Sequence, residues 1–412
     1  MRVLVVSQYF WPENFSVNSV VVSLLARGLE VDVLTGKPNY PEGVVYSGYS
    51  AWGCHSESWN AATIFRLPIM PRGSKSAIKL IFNYLSFVIS GLLLAPWILR
   101  KRQYDVVFVY APSPILQAIP AILLGWLKRC GVILWVQDLW PDSLSATGYV
   151  RSPLILSIVQ RVVRWIYSHM DLLLLQSRAF EAPVATLAPG KPLAYYPNSV
   201  DAVFAAPSAQ DAVLPVVPEL DEGFAVVFAG NVGSGQAVDV IVEAAELLRN
   251  IKQIRFVVFG QGSRLSWMRE QVKGRELANL HLLGRFPVET MPSLMQKAGA
   301  LLVTLADQPT FALTVPNKVQ AYMAAGRPIL ACLNGEGARL VTEAEAGLSS
   351  PAQDAVRLAA AVMQLYMMPA EARAQMGING RRYYEAHFHH DKLIDDLVAH
   401  LFARSRAKGG IV

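Results

Sequence analysis

Short, almost continuously apolar runs alternate along this chain with longer stretches of helical period, first over residues 1–199 and again after residue 220. Val3–Ser7, Val31–Thr35, Val106–Tyr110, Val132–Gln137 and Leu172–Gln176 are the clearest runs of the first set. Ala225–Ala229, Arg255–Phe259, Leu280–Leu283, Leu301–Leu305 and Pro328–Leu333 form the second, separated by helical candidates such as Ala237–Arg249 and Val319–Ala325. A strand apolar on both faces needs helices over both, so each set predicts a doubly wound parallel sheet. The expected fold is α/β, with two Rossmann-like domains facing a central cleft: one over residues 1–199, the other over 200–385. Ala205–Gly223, rich in Ala, Pro and acidic residues and without period, reads as the connection. Open parallel sheets bind ligands beyond the carboxyl ends of their strands, so the chemistry is expected in the strand-to-helix loops.

One segment breaks the pattern. Leu80–Leu99 runs twenty residues without a charge, with Arg72, Lys75 and Lys79 ahead of it and Arg100, Lys101 and Arg102 behind. By length it could span a hydrocarbon layer of ~30 Å. It falls, however, between strands of one domain and contains Asn83, Ser86, Ser90 and Pro96. A helix lying in the bilayer interface, with Trp97 at headgroup depth, is the expectation instead. Ile115–Leu127, followed by Lys128 and Arg129, and Leu154–Tyr167, carrying Arg161 and Arg164, repeat the theme. Taken singly, each reads first as an ordinary core helix.

Charge changes that balance. The 412 residues carry a net charge of +6, but residues 1–200 hold 17 basic and 10 acidic side chains and residues 201–412 hold 20 and 21. An anionic surface facing the first half would account for the asymmetry, as would an accident of surface composition. With the three apolar stretches beside it, peripheral attachment to the inner face of the plasma membrane is the expectation; no nucleic-acid motif occurs. The 53% apolar, 17% charged composition excludes a disordered chain. Cys54, Cys130 and Cys332 lie far apart, without disulfide-framework or zinc spacing, and the start MRVLVVSQYF lacks the form of a secretory signal. A cytoplasmic location follows as an expectation.

Two glycine-bearing turns carry the chemistry. Phe228–Gln236 (FAGNVGSGQ) follows a strand and precedes a helix, where close backbone approach and free amides suit a diphosphate. Phe259–Ser263 (FGQGS) ends the next strand in the same way. Either turn alone is compatible with a purely structural glycine; the pair on consecutive units is more specific. In the stretch Thr310–Pro328, Pro316 suits the first helical position, Lys318 offers a charge to phosphate, and Gly326 ends the helix.

These motifs resemble the bacterial GT-B glycosyltransferases of retaining family 4, particularly the branch similar to L-fucosamine and fucose transferases of O-antigen, capsule and exopolysaccharide assembly. The carriers are VLVVSQYFWPE at the start, LTGKPNYPEG at 34–43, VQDLWPDSL at 136–144, YPNSVDAVF at 196–204, FAGNVG, VVFGQGS at 257–263, LHLLGRFPVETMP at 280–292 and PNKVQAYMAAGRPIL at 316–330. The resemblance implies a nucleotide-sugar co-substrate on the second domain and no resident cofactor or metal. By matching positions, Asn231, Gly233 and Gln236 would face the diphosphate, with Gly260 and Gly262 packed under it. Arg285 and Phe286 would flank the base, Lys318 would meet the phosphates and Gln320 the ribose, with Thr314 and Asn317 completing the donor set. An undecaprenyl-diphosphate-linked saccharide would enter from the first domain past Tyr9, Trp11, Glu13, Asn18 and the pair Gln137 and Asp138. Residues 386–412 would form a helix crossing back to the first domain. No oligomeric state is implied.

The chain also departs from that family. Two glutamates often stand eight positions apart ahead of the YMAAG helix; here those positions are Ala312 and Gln320. Phe15 and Ser16 stand where relatives carry a glycine pair, and Gln137 where they often have a histidine, leaving Asp138 as the nearest ionisable group. No DxD sequence occurs, so diphosphate stabilisation is expected from amides, Lys318 and polar side chains rather than a metal. Asp138 reads equally as an acceptor-hydroxyl partner and as a cap of the turn before Pro141. A nucleotide-sugar 2-epimerase and a non-catalytic nucleotide-sugar-binding partner remain alternatives, whereas a nicotinamide dehydrogenase is disfavoured because no GxGxxG follows the first strand.

Overall fold

The structure is a computed structural model and describes residues 1–73, 77–146, 152–200, 204 and 215–405. Lys75 and positions 205–214 of the predicted connection lie outside these residues. The chain forms two compact units: Met1–Pro197 together with Asp391–Val412, and Asn198–His390.

The first unit is built on an eight-stranded sheet: β1 Arg2–Val6, β2 Glu30–Gly36, β3 His55–Trp59, β4 Ala62–Leu67, β5 Val106–Ala111, β6 Gly131–Val136, β7 Leu172–Leu175 and β8 Leu193–Tyr195. Its order is β3-β4-β2-β1-β5-β6-β7-β8, parallel throughout except for the β3–β4 hairpin at one edge. β1 lies between β2 and β5, Val3 opposite both Val31 and Val106. All five apolar runs of the first half are strands here. The pattern did not reveal β3, because HSESW is a polar, largely exposed edge with no apolar face to conceal. The His390–Arg404 helix lays Leu393, Ile394, Leu397 and Leu401 against the core of this unit, alongside Val3, Val5, Phe10 and Val20.

The second unit carries six parallel strands: β9 Phe224–Ala229, β10 Ile254–Phe259, β11 Leu280–Gly284, β12 Ala300–Thr304, β13 Ile329–Cys332 and β14 Gly347–Ser350. Their order, β11-β10-β9-β12-β13-β14, reverses direction between β9 and β12. That is the switch point at which such sheets leave a crevice for ligands, and it puts the turn after β9 at its edge. Apolar side chains on both faces of the sheet form two separate cores.

The apolar stretch is one helix, Ala77–Ile98, and its polar residues turn inward. Asn83 is fully buried: its Oδ1 accepts from Gln8 Nε2 (2.7 Å) and Tyr9 OH (3.1 Å), and its Nδ2 donates to the Met70 carbonyl (2.6 Å). Ser86 Oγ accepts from the Met70 amide and Ser90 Oγ donates to the Pro68 carbonyl. A Cβ at Gly91 would lie 2.5 Å from Pro120 Cγ, so the glycine admits the neighbouring Ala118–Lys128 helix. Ile78, Ile81, Phe82, Leu85, Ile89, Leu93 and Trp97 are left on the outer face, each 41–71% exposed. Trp126 and Leu127 on the Ala118–Lys128 helix, and Leu154, Ile155, Ile158 and Trp165 on the Pro153–Ser168 helix, are exposed as well. Among the described residues Ile78–Ile98 is the one helix long and apolar enough to cross a membrane.

Candidate functional site

In the second unit the two glycine turns are stitched to one another. The Gly230 amide donates to the Phe259 carbonyl and the Val232 amide to that of Gln261, both at 2.8 Å. Gly260 has φ +151°, and a Cβ there would lie 1.8 Å from the Gly230 carbonyl oxygen; one at Gly262 would lie 2.2 Å from that of Val232. Only glycine permits so close an approach of two backbones. Gly260 and Gly262 therefore brace the first turn. Tyr322, wholly buried, secures its start by accepting from the Ala229 amide at 3.0 Å.

The first turn ends in a single 3-10 turn, Ser234–Gln236, before the Asp239–Leu247 helix. Asn231 Nδ2 donates to Gln236 Oε1 at 3.0 Å, and the two side chains bracket Gly233. The Gln236 carbonyl accepts from Thr304 Oγ1 at the end of β12, and the Gly235 carbonyl from the Ala306 amide (3.0 Å). Asn231, Gly233 and Gln236 thus share one turn, as the sequence pattern implies.

Lys318 lies against this turn. Its Nζ stands 3.6 Å from the Phe228 ring centroid, and a Cβ at Gly230 would meet its Cε at 2.6 Å. The Nζ is shut from solvent without a hydrogen-bond partner among the described residues, and burial pushes its pKa down to about 7. An unpaired buried cation is costly, so the amine gives up its proton more readily than it would in water. Asn317–Ala325 is the helix that presents it; Pro316 occupies the position before the helix, and Gly326 closes it at φ +66°.

The other predicted donor residues are placed differently. Gln320 is buried, and its Nε2 donates to the Asn198 carbonyl (3.0 Å), leaving Oε1 without a partner. Asn198 Nδ2 in turn donates to Asn317 Oδ1 (3.1 Å). Thr314 Oγ1 donates to the Thr310 carbonyl (3.0 Å), and the buried Thr310 Oγ1 has no partner. Arg285 is exposed, whereas Phe286 packs edge-on against Phe259, ring centroids 5.1 Å apart. Neither the sequence pattern nor the family resemblance assigns a role to Asn198, Thr310, Thr304 or Tyr322. Asn198 lies inside a quoted motif, but its polar contacts come from distant parts of the chain.

In the first unit the predicted acceptor residues are joined, largely by bonds to backbone. Glu13 is buried: Oε1 accepts from the amides of Asn39 (2.7 Å) and Tyr40 (2.6 Å), and Oε2 from that of Phe10 (3.2 Å). Burial outweighs those three donors and pushes its carboxyl up to about 7. Asn18 accepts from the Trp11 amide and donates to the Glu13 carbonyl, while Trp11 stacks on Trp59. Tyr9 stacks on Phe15, the residue standing where relatives carry glycine, and bonds to Asn83. The polar atoms of Glu13 and Asn18 are committed to shaping this loop.

Asp138 and Gln137 follow β6. Asp138 Oδ1 accepts from the Ser143 hydroxyl in the short Asp142–Ala146 helix. Burial pushes its pKa up to about 6, against the Ser143 and Leu139 hydrogen bonds that lower it. Among the described residues Gln137 Nε2, Trp140 Nε1 and Gln176 Oε1, in the loops that follow β6 and β7, are buried without hydrogen-bond partners. Among the described residues no group of three His, Cys, Asp or Glu side chains stands close enough to hold a metal ion.

Comparison with known proteins adds the following. Residues 14–199 match the family described as glycosyl transferase 4-like domain, and residues 223–367 that described as glycosyl transferases group 1. The chain is 29% identical over 266 residues to "Probable glycosyltransferase WbjE" of Pseudomonas aeruginosa, a match spanning 63% of this chain and 66% of that protein. It is 25% identical over 342 residues to "Putative colanic acid biosynthesis glycosyl transferase WcaI" of Escherichia coli K12, spanning 79% of this chain and 82% of that one. Among solved structures, sucrose-phosphate synthase of Thermosynechococcus elongatus aligns with TM-score 0.70 at 20% identity, over 98% of this chain and 99% of that chain. Anabaena Alr3699/HepE in complex with UDP aligns with TM-score 0.67 at 12% identity, over 98% of this chain and all of the other. These structural likenesses concern the fold.

Proposed function

Because this chain belongs to the GT-B glycosyltransferases of family 4, we propose that it transfers a sugar from a nucleotide-sugar donor to a membrane-borne, undecaprenyl-diphosphate-linked saccharide during surface-polysaccharide assembly. The observation that carries the donor half is Lys318: a buried amine with no hydrogen-bond partner among the described residues, packed against the first glycine turn. A diphosphate supplies the missing acceptor, and its charge restores the ammonium form. WbjE and WcaI, named as a glycosyltransferase and a colanic acid biosynthesis transferase, favour transfer over epimerisation.

In this reading the reaction retains anomeric configuration by same-face substitution. The bond between the anomeric carbon and the donor phosphate oxygen breaks, and the diphosphate leaves with its electron pair. The acceptor oxygen bonds to the anomeric carbon from the same side, and its proton passes to the departing phosphate. Lys318, Asn231 and Gln236 stabilise the charge on the leaving oxygens, so no metal is required. Gln320, neutral and held by Asn198, cannot serve as a carboxylate nucleophile. Asp138, with its raised pKa, can orient the acceptor hydroxyl. Attachment is peripheral, to the inner face of the membrane through the outward apolar helices of the first unit, which brings the enzyme to its lipid-borne acceptor.

Calorimetric titration with UDP-, GDP- and dTDP-sugars tests the donor site. One nucleotide family is expected to bind, and Lys318→Met to weaken it about 10–100-fold, the loss of one charge-assisted hydrogen bond. Affinity is expected to fall as pH rises above about 7, approaching tenfold per pH unit, because binding then requires a proton on Lys318. Turnover with a lipid-linked acceptor in the presence of EDTA, and the anomeric signal of the product, test the metal and stereochemical parts. Binding of no nucleotide sugar at millimolar concentration overturns the reading.

A further inference from the structure

The last turn of the Ala77–Ile98 helix ends beside the polar edge strand β3, and the two enclose an open shelf of about 370 Å³. That is at the small end of the range for ligand sites, roughly 300–1,000 Å³. His55, Phe65, Trp97, Arg100, Lys101 and Arg102 line it. Three of these are fixed cations against a single carboxylate: Arg102 Nε lies 3.8 Å from Asp32 Oδ2, while Arg100 and Lys101 have no acidic partner among the described residues. Nor are they spent on the carbonyls at the helix end, which Lys128 Nζ caps by donating to Leu99 (2.7 Å) and Arg102 (2.8 Å). The Arg100 guanidinium lies over the exposed Trp97 ring at 4.4 Å, a stack that holds both at the rim.

The shelf lies where the outward apolar stripe Ile78–Trp97 stops and the charges begin. An indole flanked by arginine and lysine at that boundary matches the depth of lipid phosphates when the stripe lies in a bilayer. We propose that this shelf is a phosphate-binding site for the headgroup of an anionic bilayer lipid, fixing the rotation of the apolar helix on the membrane. The site rests on the membrane attachment proposed above, and is separate from the glycine turns of the second unit.

The test uses the full chain in sedimentation with phosphatidylcholine vesicles, with and without phosphatidylglycerol. The wild type is expected to favour the anionic vesicles. The double variant Arg100→Gln/Lys101→Gln is expected to bind them more than ~25-fold more weakly, beyond the roughly fivefold that each charge removed from any membrane-facing surface costs. Arg161→Gln/Arg164→Gln, an equal charge change on another helix, is expected to lose markedly less. Unchanged melting temperatures show that both variants fold. Equal losses in the two doubles mean diffuse attraction and overturn the site, as does no loss in Arg100→Gln/Lys101→Gln. Ile89→Ser/Leu93→Ser, which removes apolar contact but no charge, reports on the attachment itself. If the wild type sediments with neither vesicle, the attachment falls and the site falls with it; if only the apolar variant loses binding, the attachment stands and the site falls. Thermal stabilisation by inorganic phosphate at constant ionic strength, abolished in Arg100→Gln/Lys101→Gln, assigns the shelf to soluble phosphate and overturns the lipid assignment.

Discussion

Asp138 sets the role proposed for it in transfer against the stability of the fold. Burial raises its folded pKa to about 6, above the ordinary carboxylate value, so the folded state binds the proton more tightly than the unfolded chain. Its stabilising contribution is complete at low pH and is lost as pH rises through about 6. Asp138→Asn keeps an acceptor for the Ser143 hydroxyl and removes the buried charge. It is therefore expected to be more stable than the wild type above pH 6, equally stable near pH 4, and slower in sugar transfer; urea unfolding at the two pH values checks the first pair. The residue identities were legible in QDLWPDS, but the balance of burial and hydrogen bonds was not. Glu13 makes the same point: the family resemblance implied an acceptor contact for it, and the fold commits both of its oxygens to three backbone amides.

At the scale of elements, the paired turns after β9 and β10 depend on backbones approaching more closely than any side chain allows. Gly260→Ala places a methyl group on the Gly230 carbonyl at a positive φ, so the turns must separate. A loss of at least ~2 kcal/mol in chemical denaturation is expected, with donor affinity reduced as the amides splay. The spacing of the glycines disclosed turns of this kind, while their mutual bracing needed β9 and β10 side by side. The Ala77–Ile98 helix carries a parallel lesson. Asn83, Ser86 and Ser90 read as polar interruptions of an apolar run, but one helical face gathers all three and directs them to Gln8, Met70 and Pro68. Asn83→Leu strips Gln8 Nε2, Tyr9 OH and the Met70 carbonyl of their shared partner, and is expected to cost ~2–4 kcal/mol by thermal unfolding. Polar-to-apolar change usually favours a membrane helix; here it should unfold the inner face.

On the scale of the whole molecule, the chain returns at its end to the unit in which it began. Leu393, Ile394, Leu397 and Leu401 complete the first core, and Arg27 pairs with Asp391 and Asp395. Four buried leucine-sized side chains contribute about 6–12 kcal/mol, comparable with the net stability of a domain. A chain ending at His390 is therefore expected to lose the fold of Met1–Pro197 while Asn198–His390 persists; limited proteolysis should leave the second unit as the resistant fragment. Alternating apolar runs and glycine turns were enough to determine two parallel-sheet units, the order of ten strands in the chain and the two tight turns after β9 and β10, because buried strands and tight turns impose local composition. Which polar atoms face one another was decided only by tertiary structure. Asn198 against Gln320, Asn83 against Gln8 and Lys318 against the Phe228 ring each bring together residues distant in sequence, and contacts between such residues leave no periodic trace in the chain.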